Sequence, residues 1–166
     1  MEAAVVAGVG PGLGSSLARA LAGEGYGVGL FSRRSESSEP VAAQIQARGG
    51  KALVVPVDVT NRDSAVSAVD RVRTEFGAIS VLAYNASGFG RGTFLELDPN
   101  VILQSFETGA MGAVHLAQAI IPDMLRVGHG AISLTGATAS LRGRAGFAPL
   151  AIAKSSLRVL GQSLAR

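Results

Sequence analysis

The feature that most constrains the fold is a regular alternation of short apolar segments with longer amphipathic ones along the 166 residues. The short segments have the composition of buried parallel strands, and the longer ones repeat apolar residues at helical spacing. The predicted strands cover residues 3–9, 26–32, 51–57, 79–84 and 130–135. The predicted helices cover residues 13–23, 37–48, 61–76 and 99–126, with a last helix from residue 149. This alternation predicts a single α/β domain with a doubly wound parallel sheet between two layers of helices.

A glycine-rich loop joins the first predicted strand to the first predicted helix. The pattern G-x-G-x-x-G does not fit this loop, whereas the variant G-x-x-x-G-x-G does. Glycines allow a tight turn and let a pyrophosphate approach the backbone, and the next helix offers it free N–H groups. We therefore expect a Rossmann-like dinucleotide site, with a purely structural turn as the alternative. The candidate binding residues are Gly8, Gly10, Gly12, Leu13 and Gly14.

The end of the second predicted strand indicates which dinucleotide is preferred. Sites for NAD(H) usually have a carboxylate here, which binds the ribose hydroxyls. This chain has Ser32, Arg33 and Arg34 instead. An arginine pair suits the 2′-phosphate of NADP(H), which it can hold with charge-assisted hydrogen bonds. The sequence thus favours NADP(H) over NAD(H), and the alternative is a pair of solvated arginines.

Other classes of function have little support in the composition. There is no cysteine, and the two histidines lack metal-ligand spacing, so no metal site is expected. The net charge is +3, but the arginines are scattered, which argues against a nucleic-acid partner. No stretch contains 18 unbroken apolar residues, and the N-terminus lacks the basic region of a signal peptide. We therefore expect no membrane segment and a cytoplasmic location.

Further motifs resemble the short-chain dehydrogenase/reductase family. Asp58-Val59-Thr60 is similar to the family's D-V-T motif, in which the aspartate contacts adenine. Tyr84-Asn85-Ala86-Ser87 resembles its N-N-A-G motif, which walls the cofactor. Lys154 stands where the Y-x-x-x-K motif has its lysine, which holds the cofactor ribose. The resemblance implies strand order 3-2-1-4-5, hydride transfer between NADP(H) and a small carbonyl or alcohol substrate, and cofactor contacts from Asp58, Val59, Asn85, Ala86 and Lys154.

The catalytic positions of the resemblance are mostly changed. Leu150 occupies the position of the tyrosine that normally exchanges the proton, and leucine cannot do this. The catalytic serine falls near residues 136–137, where Thr135 and Thr138 are the nearest hydroxyls. Gly109 occupies the position of the helix asparagine. The predicted catalytic set is therefore Lys154, Thr135 and Thr138, with Tyr84 as a weaker candidate acid.

A last expectation concerns length and association. Family members typically continue with two more strands and a substrate-covering loop, whereas this sequence ends at Arg166 within a helical pattern. The fifth strand is thus expected to be an uncovered edge of the sheet. Three explanations stay open: the sequence is cut short, the gene product is short, or a partner completes the sheet. The family's long helices often pair between subunits, which implies a homo-oligomer. The alternatives to an oxidoreductase are a non-catalytic NADP(H)-binding protein and a fragment without independent function.

Overall fold

The computed structural model describes every residue from Met1 to Arg166. Its five strands form one parallel sheet, in the order β3-β2-β1-β4-β5. The strands are β1 (Ala3–Ala7), β2 (Gly27–Ser32), β3 (Lys51–Pro56), β4 (Ile79–Tyr84) and β5 (Ala131–Leu134). The strand order predicted from the sequence is confirmed.

Six α-helices cover the two faces of the sheet. They are α1 (Leu13–Gly23), α2 (Glu39–Gln46), α3 (Arg62–Phe76), α4 (Pro99–Phe106), α5 (Gly112–Val127) and α6 (Ala148–Leu164). Apolar residues of α3, α5 and α6 pack on one face of the sheet, and those of α1 and α2 pack on the other. Along β1 the side chains alternate between the two cores, as the strand period requires: Val5 joins the first and Val6 the second. The predicted three-layer α/β/α architecture is confirmed.

The element boundaries differ from the predicted ones where the backbone turns sharply. β1 ends at Ala7 rather than at residue 9, because Gly8 adopts a φ of +91° that no strand continues through. A single 3₁₀ turn, Ser35–Ser37, precedes α2, which is shorter than predicted. A second such turn, Thr138–Ser140, lies between β5 and α6.

The predicted long helix of residues 99–126 is the clearest departure. A π-helical segment, Glu107–Met111, separates α4 from α5. The apolar pattern of the sequence runs through this segment without a break, so periodicity alone does not reveal it. Insertions of this kind occur frequently at functional sites.

The two edges of the sheet are formed by β3 and β5. Pro56 is the last residue of β3, an edge and strand-end position where the missing N–H of proline is tolerated. β5 forms the other edge, and its side chains alternate between exposed and half-buried. None of the helices combines the length and the hydropathy needed to cross a membrane.

The strand order also places the site. The chain runs outward from β1 to β3 and then returns to β4 on the other side of β1. The loops after β1 and β4 therefore leave the sheet in opposite directions and open a crevice at its carboxyl edge. In open parallel sheets, ligands bind at this switch point.

Candidate functional site

A cleft of about 1090 Å³ lies at the carboxyl ends of β1 to β4. Eight of the predicted cofactor-binding residues line it: Gly8, Ser32, Arg33, Arg34, Asp58, Val59, Asn85 and Ala86. These residues follow four different strands, so it is the fold rather than sequence proximity that brings them together. The size and position of the cleft suit a nucleotide.

At two positions of the predicted loop, neighbouring backbone lies so close that only glycine fits. A Cβ on Gly8 would lie 2.5 Å from the backbone nitrogen of Ala86. A Cβ on Gly14 would overlap the carbonyl oxygen of Gly8. The Asn85 Nδ2 donates a hydrogen bond of 2.9 Å to that same oxygen. The loop after β1 is thus fixed directly against the end of β4.

The other loop residues face open space. A Cβ on Gly10 or Gly12 would meet no protein atom within 4 Å, and Leu13 is 52% exposed. Gly12 is the N-cap of α1 and provides no side chain to pair the first N–H groups of the helix. Together with Gly14, these residues are not among those lining the cleft, although the adjoining Gly8 and Val9 are. The N-terminus of α1 thus has no capping side chain, and its free N–H groups provide the environment that phosphates prefer.

The turn after β2 places two arginines at the cleft. The Ser32 hydroxyl donates to the carbonyl of Arg34 at 2.7 Å, so Ser38, 2.7 Å away, must donate to Ser32. Ser32 thus uses its proton to shape the turn and has none left for a phosphate in this conformation. Arg33 and Arg34 are exposed, and neither takes part in an ion pair.

The arginine motif after β2 does not point to a carboxylate in the same turn. Glu36 lines the cleft beside the two arginines. It stands four residues beyond the end of β2, outside the positions directly after the strand on which the cofactor prediction rests. A carboxylate within four residues of the strand end is the sequence signal for it.

Asp58 closes a small turn in the loop between β3 and α3. Its Oδ1 accepts hydrogen bonds from the backbone N–H of Thr60 at 3.0 Å and from the Thr60 hydroxyl at 2.7 Å. Thr60 also lines the cleft. Asp58 is therefore held with its other carboxylate oxygen free to accept a hydrogen bond from a ligand.

Tyr84 does not face the cleft. It is fully buried, and its hydroxyl donates to the carbonyl oxygen of Thr108 in the π-helical segment. Burial raises the pKa of the Tyr84 phenol above its ordinary value. A buried phenol with its proton already committed is poorly suited to act as the catalytic acid.

Lys154 and Thr135 are brought together. The Lys154 side chain is buried, and its Nζ donates a 2.8 Å hydrogen bond to the backbone carbonyl of Thr135. Burial lowers the pKa of the Lys154 ammonium. Leu150 is half-buried one helical turn earlier, whereas Thr138 is exposed and makes no side-chain hydrogen bond. Lys154, Thr135 and Thr138 all lie outside the lining of the cleft.

The asparagine position is sterically closed. A Cβ on Gly109 would lie 2.8 Å from the Cβ of Ala153, so the π-helical segment and α6 approach too closely for a longer side chain. No group of three or more histidine, aspartate, glutamate or cysteine residues is placed to hold a metal ion. The candidate catalytic residues are thus one lysine and two threonines, and none of them lines the cleft.

Comparisons with known proteins agree with this geometry. The ketoacyl reductase HetN of Nostoc sp. is 33% identical over 144 residues, which are 87% of this chain and 49% of that protein. A short-chain dehydrogenase from Rhodopseudomonas palustris superposes with a TM-score of 0.92 at 31% identity, over 99% of this chain and 77% of its own. A metagenomic short-chain oxidoreductase solved with NADP gives 0.93 at 27% identity, over 99% and 75%. This chain therefore spans about half the length of HetN and about three quarters of the two structures.

The family model described as short chain dehydrogenase matches residues 2–166. The match covers both the glycine loop and the helix that carries Lys154. The chain therefore belongs to the short-chain dehydrogenase family.

Proposed function

We propose that the chain is a single NADP(H)-binding domain and that the cleft takes the nucleotide. The observation that carries this proposal is the convergence of the Gly8–Asn85 contact and the Arg33-Arg34 pair on one cleft. Arg33 and Arg34 would hold a 2′-phosphate, while Asp58 and Val59 would border the adenine. The backbone between Gly8 and Gly14 would receive the pyrophosphate.

The proposed activity is reduction of a small carbonyl compound, or oxidation of the corresponding alcohol. A nicotinamide cofactor supplies the hydride, and the protein binds, orients and exchanges a proton. The names of the relatives support this chemistry, because they include a ketoacyl reductase and a dehydrogenase. Lys154, held at the Thr135 carbonyl, would bind the ribose hydroxyls.

The site lacks a side chain at position 150 that could donate a proton to the substrate. Leu150 has no proton to give, and loss of one positioned general acid lowers the rate by about 10²–10⁴-fold. Thr135, whose backbone carbonyl accepts the hydrogen bond from Lys154, is the first candidate to relay a proton. The exposed Thr138 is the second candidate. We expect slow but measurable turnover from binding and orientation alone.

Substitution of Leu150 tests the proposed activity. Leu150→Tyr places a phenol one helical turn before the ammonium of Lys154, so carbonyl reduction with NADPH should rise at least tenfold, within the range of about 10²–10⁴ for one general acid. Combining it with Ala137→Ser should raise the rate further. The measurement is NADPH oxidation across a panel of ketones and aldehydes.

Leu150→Phe is the matched control, because it adds the ring without the hydroxyl. It should leave the rate unchanged. The tyrosine variant should also show a pH profile with an apparent pKa below about 10, because a nearby ammonium stabilises phenolate. Equal rates for the parent, Leu150→Tyr and Leu150→Phe would count against a hydride-transfer site.

A non-catalytic NADP(H)-binding protein is the second candidate function. The presence of Leu150 at the proton-exchange position favours it. Tight NADPH binding without turnover, in both the parent and Leu150→Tyr, would identify this function.

A further inference from the structure

Two loops border the first turn of α6, where Leu150 lies. The loop of residues 86–98 packs at Gly90, where a Cβ would overlap Val101 and lie 3.4 Å from Pro149. The loop of residues 136–147 lies close to α6, since a Cβ on Gly143 would be 3.9 Å from the Ala151 Cβ. The two loops are joined to each other by a hydrogen bond of 3.4 Å from the Gly92 N–H to the Gly146 carbonyl. They therefore form one continuous rim.

This rim carries unneutralised positive charge. Arg91, Arg142 and Arg144 are exposed and form no ion pair. The one further contact of these guanidiniums is that of Arg91, whose Cζ lies 4.2 Å from the centroid of the Phe147 ring. Beyond Asp123 the chain contains no aspartate or glutamate at all.

The two carboxylates of the loop of residues 86–98 accept hydrogen bonds from nearby residues. Glu96 accepts a 2.6 Å hydrogen bond from the Thr93 hydroxyl, and Asp98 caps α4 by accepting from the Asn100 N–H at 2.9 Å. These hydrogen bonds leave both carboxylates charged, but neither forms an ion pair with an arginine, and the three arginines outnumber them on the rim. An excess of positive charge raises the local concentration of anions.

The same rim exposes large apolar side chains. Leu95 is 97% exposed, Phe94 75%, Leu141 74% and Phe89 66%. Phe89 also lines the nucleotide cleft and is two residues from Arg91 in the same loop, so the rim adjoins the cleft at this residue. Apolar surface beside guanidinium groups is complementary to a ligand that has an apolar body and an anionic end.

We propose that the carbonyl substrate is such a molecule, with an anionic carboxylate or phosphate that binds Arg91, Arg142 and Arg144 while its apolar part lies on Phe89 and its neighbours. This inference rests on the proposed function, because it assigns the substrate class of the same site. A carboxylate and a phosphate would both supply the anionic end, and experiment can distinguish the two.

The test compares anionic ligands with neutral partners that have the same alkyl chain. The NADPH-loaded protein is titrated by calorimetry with 2-oxooctanoate and with its methyl ester, and then with octyl phosphate and octanol. The anion of at least one pair should bind at least tenfold more tightly than its neutral partner, about 1.4 kcal/mol. A preference in the first pair identifies a carboxylate, and one confined to the second identifies a phosphate.

Arginine variants locate the effect. Arg91→Gln/Arg142→Gln/Arg144→Gln should remove the preference and leave the affinities for NADPH and for the neutral ligands unchanged. Arg48→Gln/Arg71→Gln/Arg166→Gln removes the same charge from exposed positions outside the rim and should keep the preference. If the triple variant fails to fold, the double variant Arg142→Gln/Arg144→Gln replaces it, because it leaves the Arg91–Phe147 contact intact. The double variant should weaken the preference for the anionic ligand.

Several outcomes would overturn the proposal. Equal affinity within both ligand pairs would do so, as would an equal loss in the two triple variants, which would show that net charge alone acts. Arginine-dependent binding to phosphatidylglycerol vesicles without any preference for the small anions would point to a membrane surface instead. An anion preference without any NADPH binding would contradict the proposed function and, with it, the assignment of the anion as a substrate, whereas NADPH binding without the preference would contradict this inference alone.

Discussion

At the scale of single residues, the glycine loop contains two kinds of glycine. Gly8 and Gly14 have no room for a side chain, because the loop lies against the end of β4. Gly10 and Gly12 meet nothing and are not needed by the fold. The pattern G-x-x-x-G-x-G identifies Gly8, Gly12 and Gly14 equally, and only the packing separates a structural from a ligand-facing requirement.

This difference predicts opposite behaviour for two valine substitutions. Gly12→Val should keep the folded state, because its Cβ would meet no protein atom within 4 Å, but should abolish NADPH binding by blocking the pyrophosphate. Gly14→Val should instead lower the melting temperature, because its Cβ would overlap the Gly8 carbonyl oxygen. Thermal melts and NADPH fluorescence titrations measure both effects. A folded Gly12→Val that binds NADPH as the parent does would show that the loop is only structural.

Part of the candidate site could be predicted residue by residue, and part could not. Gly8, Arg33, Asp58 and Asn85 belong to short local motifs, and the structure brings all of them to one cleft. Thr108 also lines the cleft, but it comes from a helix with no motif, so only the tertiary fold places it there. The contact between Lys154 and the Thr135 carbonyl likewise joins residues far apart in the sequence.

At the scale of secondary-structure elements, the helices and strands were predictable but the interruption of the long helix was not. The π-helical segment depends on its neighbours: Tyr84 donates to the Thr108 carbonyl, and a Cβ on Gly112 would lie 2.7 Å from Val59. A sequence pattern reports the period of a helix and not what packs against it. The segment therefore follows from tertiary contacts.

The contact between α3, α5 and β4 gives a prediction at this scale. Asp123 is 5% exposed and accepts hydrogen bonds from the Arg73 Nε at 2.9 Å, the Arg126 Nη2 at 3.1 Å and the Ile79 N–H at 3.3 Å. Asp123→Ala should lower the free energy of unfolding by about 1–3 kcal/mol, because the buried Ile79 N–H and the partly buried Arg73 guanidinium lose their acceptor. Urea denaturation measures the change.

Asp70→Ala is the control, because Asp70 also pairs with Arg73 but has a side chain that is 58% exposed. It should cost less than about 1 kcal/mol. Burial raises the pKa of Asp123, but the hydrogen bonds from Arg73, Arg126 and Ile79 outweigh this and hold the pKa below its usual 3.8. The stability that Asp123 contributes should therefore be present above pH 3.8 and be lost as the pH falls through the lowered pKa. Equal losses for the two variants at neutral pH would contradict this account.

At the scale of the whole molecule, the sheet order was predictable because the βα alternation leaves few right-handed topologies, and the family resemblance selects one of them. The surface was less predictable. Apolar side chains remain exposed on the helices, with Leu103 at 52%, Ile152 at 41% and Val159 at 53%. Ile152 and Val159 lie two turns apart on the same side of α6.

These side chains lead to a prediction about association. We expect a dimer or larger species at tens of micromolar protein, because pairing of α4, α5 and α6 between subunits would bury this apolar surface. Ile152→Lys/Val159→Lys should shift the population towards monomer in light scattering. Val66→Lys, a comparable change on the exposed side of α3, should not. A monomeric parent at these concentrations would refute the prediction.

The most direct test of the central claim, that the cleft holds NADP(H), is a comparison of NADPH and NADH affinities by fluorescence titration. The parent should bind NADPH at least tenfold more tightly, a difference of about 1.4 kcal/mol. Arg33→Ala/Arg34→Ala should remove most of that difference with little change in the affinity for NADH, whereas Glu36→Gln should retain it, because it removes a negative charge beside the 2′-phosphate. Equal affinities of the parent for NADPH and NADH, or no saturable binding of either, would contradict the account.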